Sequence, residues 1–270
     1  MVKNEIRLNW KQTIKLAMLR VSRRIDRACL TESGVAPPAS LYIQYGGGNF
    51  FDAGLEFFKI LLDECNLQRT SSILDVGCGV GRMAAPLEFF LSSQGSYLGF
   101  DIMPEGIEWC TRKVTPRRPN FVFLKADIYN SFYNPSGKQR PENYRFPCND
   151  QTCDIVLSTS VMTHLLPDAM RRYVAETARV LKPGGVSLHT FYLVDDFAEN
   201  CIARGESRYP FREAAGYMTS DPSAPEQAIA LRDATVEAAY DAAGLSAHIR
   251  RGSWCGRDGL SYQDIVIGRR

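Results

Sequence analysis

The decapeptide Ile73 to Arg82, Ile-Leu-Asp-Val-Gly-Cys-Gly-Val-Gly-Arg, limits the fold more than any other stretch of this chain. Apolar residues closing on Asp75 have the character of a buried parallel strand. Gly77, Gly79 and Gly81 follow at alternate positions, where the main chain needs positive φ and close approach to a bound group. The apolar run from Met83 to Phe90 predicts a helix. Strand, glycine turn and helix together form a nucleotide-binding opening. The dinucleotide fingerprint, however, places its third glycine three residues after the second. In this chain that position is Arg82.

Fixed distances downstream repeat the pattern. Ser96 to Phe100 reads as a second strand ending at Asp101, an acid placed to accept hydrogen bonds from both hydroxyls of a ribose. Ile102 and Met103 follow as an apolar surface for an adenine face. Phe121 to Ala126 reads as the third strand, ending at Asp127-Ile128. Cys153 to Leu157 is the fourth, leading through Ser158 to His164. A helix over 168–181 is predicted to stop at Lys182-Pro183-Gly184-Gly185, ahead of a fifth strand, Val186 to Leu193. Ala228 to Ala243 reads as a helix, and Ser246 to Arg251 and Ser261 to Gly268 as the last strands.

Asp-x-Gly-x-Gly-x-Gly at 75–81, with Ala-Arg-Val-Leu-Lys-Pro-Gly-Gly at 178–185, resembles the class I S-adenosylmethionine-dependent methyltransferases from about residue 51 onward. The resemblance implies an α/β, Rossmann-like sheet of seven strands. It would be mostly parallel with an antiparallel last strand, and helices would cover both faces. It implies S-adenosyl-L-methionine as cofactor, held by Asp75, Gly77, Cys78, Gly79, Gly81, Arg82, Asp101, Ile102, Asp127, Ile128 and Ser158. It also places His164 where the methyl-acceptor pocket opens, as candidate general base; a structural role at the helix entry is the alternative. His189 and His248 fall within strands.

The reaction implied is methyl transfer to a small molecule, foremost O-methylation of a sugar, glycan or natural-product hydroxyl. N-methylation of a neutral amine would use the same residues. The Asn/Asp-Pro-Pro-Tyr motif of base-amine methylation is replaced by Ser158-Thr159-Ser160-Val161, and no carboxylate-and-amide metal site is evident. A dinucleotide-dependent reductase and a cofactor-binding pseudoenzyme are the competing classes. Irregular stretches carry Tyr133, Asn134, Arg140, Tyr144 and Arg145, then Asp195, Asp196, Arg208, Tyr209, Phe211 and Tyr217, then Trp254 and Arg257. The first group suits contact with the methyl acceptor or a solvated loop equally, and the last suits such contact or loop packing and a surface charge equally.

Ahead of this domain, expected over 37–270, residues 1–36 are expected to be a basic amphipathic helix and linker. Residues 1–30 hold eight basic side chains against Glu5 and Asp26, with Ile6, Trp10, Ile14, Ala17, Val21 and Ile25 on one helical face. Such a basic amphipathic helix suits either an anionic membrane surface or a docking face on its own domain. Gly46-Gly47-Gly48 reads as a hinge, a contact loop or a plain linker. Formal net charge is +2, which gives no sign of a nucleic-acid partner. Eight cysteines without a Cys-x-x-Cys pair suggest free thiols in a reducing compartment. With no apolar leader or spanning segment, a cytoplasmic location is expected.

Overall fold

The computed structural model describes residues 36–45 and 49–270. The expected amphipathic helix of residues 1–30 and the glycine run 46–48 lie outside the described residues. A short helical turn, Ala39–Tyr42 continuing over Ile43–Tyr45, leads to α1 (Phe50–Glu64). The alternating units then follow: β1 (Ser72–Val76), α2 (Ala84–Phe90), β2 (Ser96–Asp101), α3 (Pro104–Lys113), β3 (Phe121–Lys125), β4 (Cys153–Ser158), α4 (Pro167–Val180) and β5 (Leu181–Phe191).

The second half adds β6 (Leu193–Val194), α5 (Asp196–Ala203), β7 (Arg212–Ala214), β8 (Tyr217–Thr219), β9 (Ile229–Arg232) and α6 (Asp233–Ala242). It closes with β10 (Ser246–Arg250) and β11 (Asp264–Arg269). The main sheet has seven strands in the order β10-β11-β5-β4-β1-β2-β3. All pairs are parallel except those of β11, which runs antiparallel to both neighbours. This is the mostly parallel, Rossmann-like sheet that the sequence implied.

β1 is central and its alternate residues feed two cores. Leu74 and Val76 pack with Met170, Tyr173, Val174, Val236 and Tyr240 from α4 and α6. Ile73 faces the opposite layer, with Ile60, Leu61, Leu87, Ile107 and Cys110 from α1, α2 and α3. A strand covered on both faces reads as a near-continuous apolar run, which is why β1 and β4 were legible.

Two local expectations need correction. The Lys182-Gly185 segment does not lie ahead of β5 but inside it, as a register shift against β4 between Cys153 and Ile155, with Gly184 at φ +79°. Residues 229–232, expected as the start of a helix, form β9. They pair with β6 and β8 in a second sheet of order β6-β9-β8-β7. Its period of two is plain once paired: Ile229 and Leu231 enter the main core, while Ala228 and Ala230 join Tyr192, Phe211 and Trp254 in a separate cluster.

The seven described cysteines are free thiols, but two are close: Cys148 Sγ lies 3.3 Å from Cys153 Sγ. A hydrogen bond from the Cys153 thiol holds the half-buried Cys148 below the usual thiol range, helped by Thr152 and the Arg179 charge. That bond and burial push Cys153 up. Burial likewise raises Cys65, Cys78 and Cys110. Brief treatment with iodoacetamide at neutral pH should therefore alkylate Cys148 ahead of the other described cysteines. Peptide mass mapping would show it, and even labelling would refute the assignment. Among the described residues no helix is long and apolar enough to cross a membrane.

Candidate functional site

A cavity of about 590 Å³ opens over the C-terminal ends of the parallel strands, where an open α/β sheet places its ligands. Gly77, Cys78, Gly79 and Arg82 line one side of it, with Asp101, Ile102 and Ile128 from the neighbouring strands and His164 across from them.

The glycine turn takes left-handed backbone conformations and is closely packed by neighbouring side chains. Gly77 and Gly79 have φ of +75° and +55°, and a Cβ on Gly77 would lie 2.2 Å from Val161 Cγ2. Asp101, nearly buried at the tip of β2, braces the turn from the next strand. Its Oδ2 accepts from Gly79 N and its Oδ1 from Met103 N, both at 2.8 Å. Burial raises its pKa, and the main-chain donors oppose that shift. A carboxylate has about four acceptor sites, so capacity for ribose hydroxyls remains after these two bonds.

Tyr45, which the sequence did not single out, also packs on this turn. Its hydroxyl accepts from Gly106 N at 2.8 Å, and its ring fills the space that a Cβ on Gly79 would take. Arg82 donates to the Tyr45 carbonyl at 3.3 Å. The residue that breaks the dinucleotide fingerprint thus ties the lead-in segment to the glycine turn. Tyr45→Phe strands the Gly106 N–H and should lower stability by about 1 kcal/mol; an unchanged urea midpoint would show that the bond is not formed.

Four residues expected at the cofactor lie off the cavity wall. Asp75 is fully buried beneath the turn, hydrogen-bonded by the Tyr97 hydroxyl, and burial pushes its carboxyl up to about 7. Gly81 faces α3, where a Cβ would meet Cys110 Sγ at 3.0 Å. Ser158 is sealed within the sheet, and its neighbours Thr159 and Ser160 reach the cavity instead. Asp127 turns to the main chain of the following loop: its carboxylate accepts from Lys138 N at 3.4 Å and its carbonyl from Gln139 N at 2.9 Å.

The far half of the cavity is built by irregular segments. Asn130 Oδ1 accepts from Phe132 N and Tyr133 N, a side-chain turn that presents the Tyr133 ring edge-on to His164, centroids 5.2 Å apart. Glu226 fixes both groups. Its carboxylate accepts from Ser131 N at 2.6 Å, and its carbonyl lies 2.9 Å from His164 Nδ1. A carbonyl can only accept, so Nδ1 carries the proton and Nε2 keeps a lone pair. Burial lowers the His164 pKa, with the main chain at Glu226 and Gln227 opposing, so the ring is neutral near pH 7.

Tyr192, Arg208, Tyr209, Tyr262 and Gln263 complete this half. Ser160, at the strained φ of +57°, donates to Gln263 Oε1 at 3.0 Å, and Gln263 Nε2 reaches the Tyr192 hydroxyl at 3.3 Å.

Other residues nominated for the methyl acceptor serve the scaffold. Trp254 is buried and donates to Asp264, Arg257 pairs with Asp195 and covers Phe197, and Tyr144 is core. Arg140 and Arg145 pair with Glu142 and Asp150. Asn134 donates to the Ile128 carbonyl. His189 is buried between Thr177 and Tyr240.

Residues 73–185 match the family model described as methyltransferase domain. The phthiotriol/phenolphthiotriol dimycocerosates methyltransferase of Mycobacterium tuberculosis (strain ATCC 25177 / H37Ra) is 33% identical over 113 residues, 42% of this chain and 34% of that protein. The tRNA N(3)-cytidine methyltransferase METTL2 of Gallus gallus is 26% identical over 134 residues, 50% of this chain and 34% of that one. The chain therefore spans about a third of the length of the curated relatives it matches. The fold is shared with a chain in the solved complex of the Haloferax volcanii Trm112 methyltransferase activator and a methyltransferase. There the TM-score is 0.53 and identity 16%, over 81% of this chain and 90% of that one. Over residues 73–185 the chain thus matches a methyltransferase domain, and its strand order and glycine turn agree with the class I S-adenosylmethionine-dependent methyltransferase fold that the sequence resembles.

Proposed function

We propose that this protein transfers a methyl group from S-adenosylmethionine to a hydroxyl of a small molecule, a sugar, glycan or natural product. The donor half fits that cofactor. The Gly77–Gly79 turn presents main chain to the cavity for the methionine portion, Asp101 has acceptor capacity for the ribose, and Ile102 and Ile128 offer apolar surface to the adenine. When bound, S-adenosylmethionine supplies a methyl on a sulfonium, already electrophilic enough for in-line displacement.

The chain's own task is then alignment, exclusion of water and removal of one proton. His164 Nε2 suits that removal: the Glu226 carbonyl fixes the tautomer, and burial keeps the ring unprotonated. This neutral, oriented imidazole inside the cavity carries the reading. Tyr133, Tyr192 and Tyr209 offer ring faces and Gln227 and Gln263 offer amides, groups suited to a polyhydroxylated ring. The domain over 37–270 holds all of these groups. The segment 1–36 keeps the reading of a basic amphipathic helix and linker that the sequence suggests.

Incubation with methyl-labelled cofactor tests the reading, using a pool of cellular metabolites in one arm and total RNA in the other. Label in a metabolite hydroxyl is the expected result. Label in the RNA would overturn the small-molecule assignment. Demethylated cofactor that never exceeds the acceptor-free control would leave a binding protein without turnover.

A further inference from the structure

Among the described residues, the half of the cavity that holds His164 is lined by one guanidinium, that of the exposed Arg208, and its setting narrows the kind of methyl acceptor. Arg208 lies over two tyrosine rings, with its central carbon 5.6 Å from the Tyr209 centroid and 5.7 Å from that of Tyr262. The neighbouring Tyr262 hydroxyl also favours its charged form. Among the described residues no carboxylate lies within ion-pair distance of it. The acidic residues on the cavity wall, Glu56 and Asp101, sit on α1 and at the tip of β2, on the glycine-turn side.

The aromatic groups around Arg208 are well anchored. Tyr192 is buried, 5.4 Å from Tyr209 and 5.2 Å from Trp254 between ring centroids, and Trp254 is in turn bonded to Asp264. The two rings flank the guanidinium of Arg208, a planar group whose N–H fork is suited to taking carboxylate or phosphate oxygens two at a time.

We propose that the methyl acceptor carries an anionic group, phosphate or carboxylate, which Arg208 takes at the cavity mouth while the acceptor's ring lies against Tyr192 and Tyr209. The proposal rests on the reading of the His164 half as the methyl-acceptor side. A neutral polyol would leave the guanidinium without a counter-charge, whereas an anion there fixes which hydroxyl is carried inward to His164. Arg208 would thus be a specificity residue, and the donor half would not depend on it.

Matched probes test this on full-length protein saturated with S-adenosylhomocysteine, with binding followed by ligand-observed NMR. Glucose 1-phosphate is compared with methyl glucoside, glucuronate with glucuronamide, and 4-hydroxybenzoate with 4-hydroxybenzamide. The anionic member of at least one pair should bind about tenfold tighter or more, the scale of a charge-assisted bond. The pair that responds tells phosphate from carboxylate. Arg208→Gln should erase the preference and Arg208→Lys retain part of it, with S-adenosylhomocysteine affinity unchanged in both. Equal binding within every pair, or a preference that survives in Arg208→Gln, overturns the proposal. Failure of the wild-type protein to bind S-adenosylhomocysteine would instead overturn the donor-site reading beneath it.

Discussion

Asp101→Ala is expected to raise the dissociation constant for S-adenosylhomocysteine about a hundredfold, as loss of charge-assisted bonds of about 1.5–3 kcal/mol implies. Two losses combine. The ribose hydroxyls lose their carboxylate, and the Gly79 and Met103 N–H groups, each 2.8 Å from it, lose their acceptor. The second loss loosens the glycine turn itself, so the thermal midpoint should fall as well. Asp101→Asn separates the two contributions: its amide keeps one acceptor oxygen for a main-chain donor but sets an N–H against the other. Its midpoint should therefore recover further than its affinity.

Burial raises the Asp101 pKa, so the ionised form is lost at a higher pH than for a solvated aspartate. Affinity should fall as the medium is acidified through that raised value, because the protonated acid accepts fewer bonds. Calorimetric titration across the acid range measures this, and a wild-type affinity that stays flat while the protein remains folded would count against the ribose role.

His164→Ala should reduce turnover by a factor of roughly 10²–10⁴, the usual contribution of a positioned base, and leave cofactor affinity nearly intact. His164→Gln is the sharper variant, since its amide can still donate to the Glu226 carbonyl that holds Nδ1. It keeps the loop and loses the base. Because burial depresses the imidazole pKa, the neutral form persists below the usual histidine range. The rate should therefore hold through mildly acidic pH and fall only as pH drops through the depressed value. Full activity of His164→Gln, or an acid limb above the ordinary imidazole range, would assign His164 to structure alone.

The parts of this molecule that were legible in the sequence are those specified by neighbours along the chain. β1, the glycine turn and Asp101 are read from apolar runs, backbone freedom and a distance. The second sheet was not, because Ala228–Leu231 is as apolar as a helix face, and only pairing with Leu193–Val194 and Met218–Thr219 makes it a strand.

The site divided in the same way. Asp127 and Ser158 stand where strand ends suggested ligands, but one faces a loop that returns to it and the other faces inward. Tyr45 went unnoticed because its importance comes from packing on Gly79 and Gly106, residues far along the chain. For Trp254 and Arg257 the sequence left acceptor contact and loop packing or a surface charge equally open, and Asp264 and Asp195 hold them in the scaffold.

The separate cluster of Tyr192, Phe211, Met218 and Trp254 has an evolutionary consequence. The wall proposed for the methyl acceptor stands on packing of its own, and Leu193, Ile229 and Leu231 of the second sheet key it into the main core. Descendants of such a chain could trade one clientele for another by mutating that annexe alone, while inheriting the donor chamber unaltered.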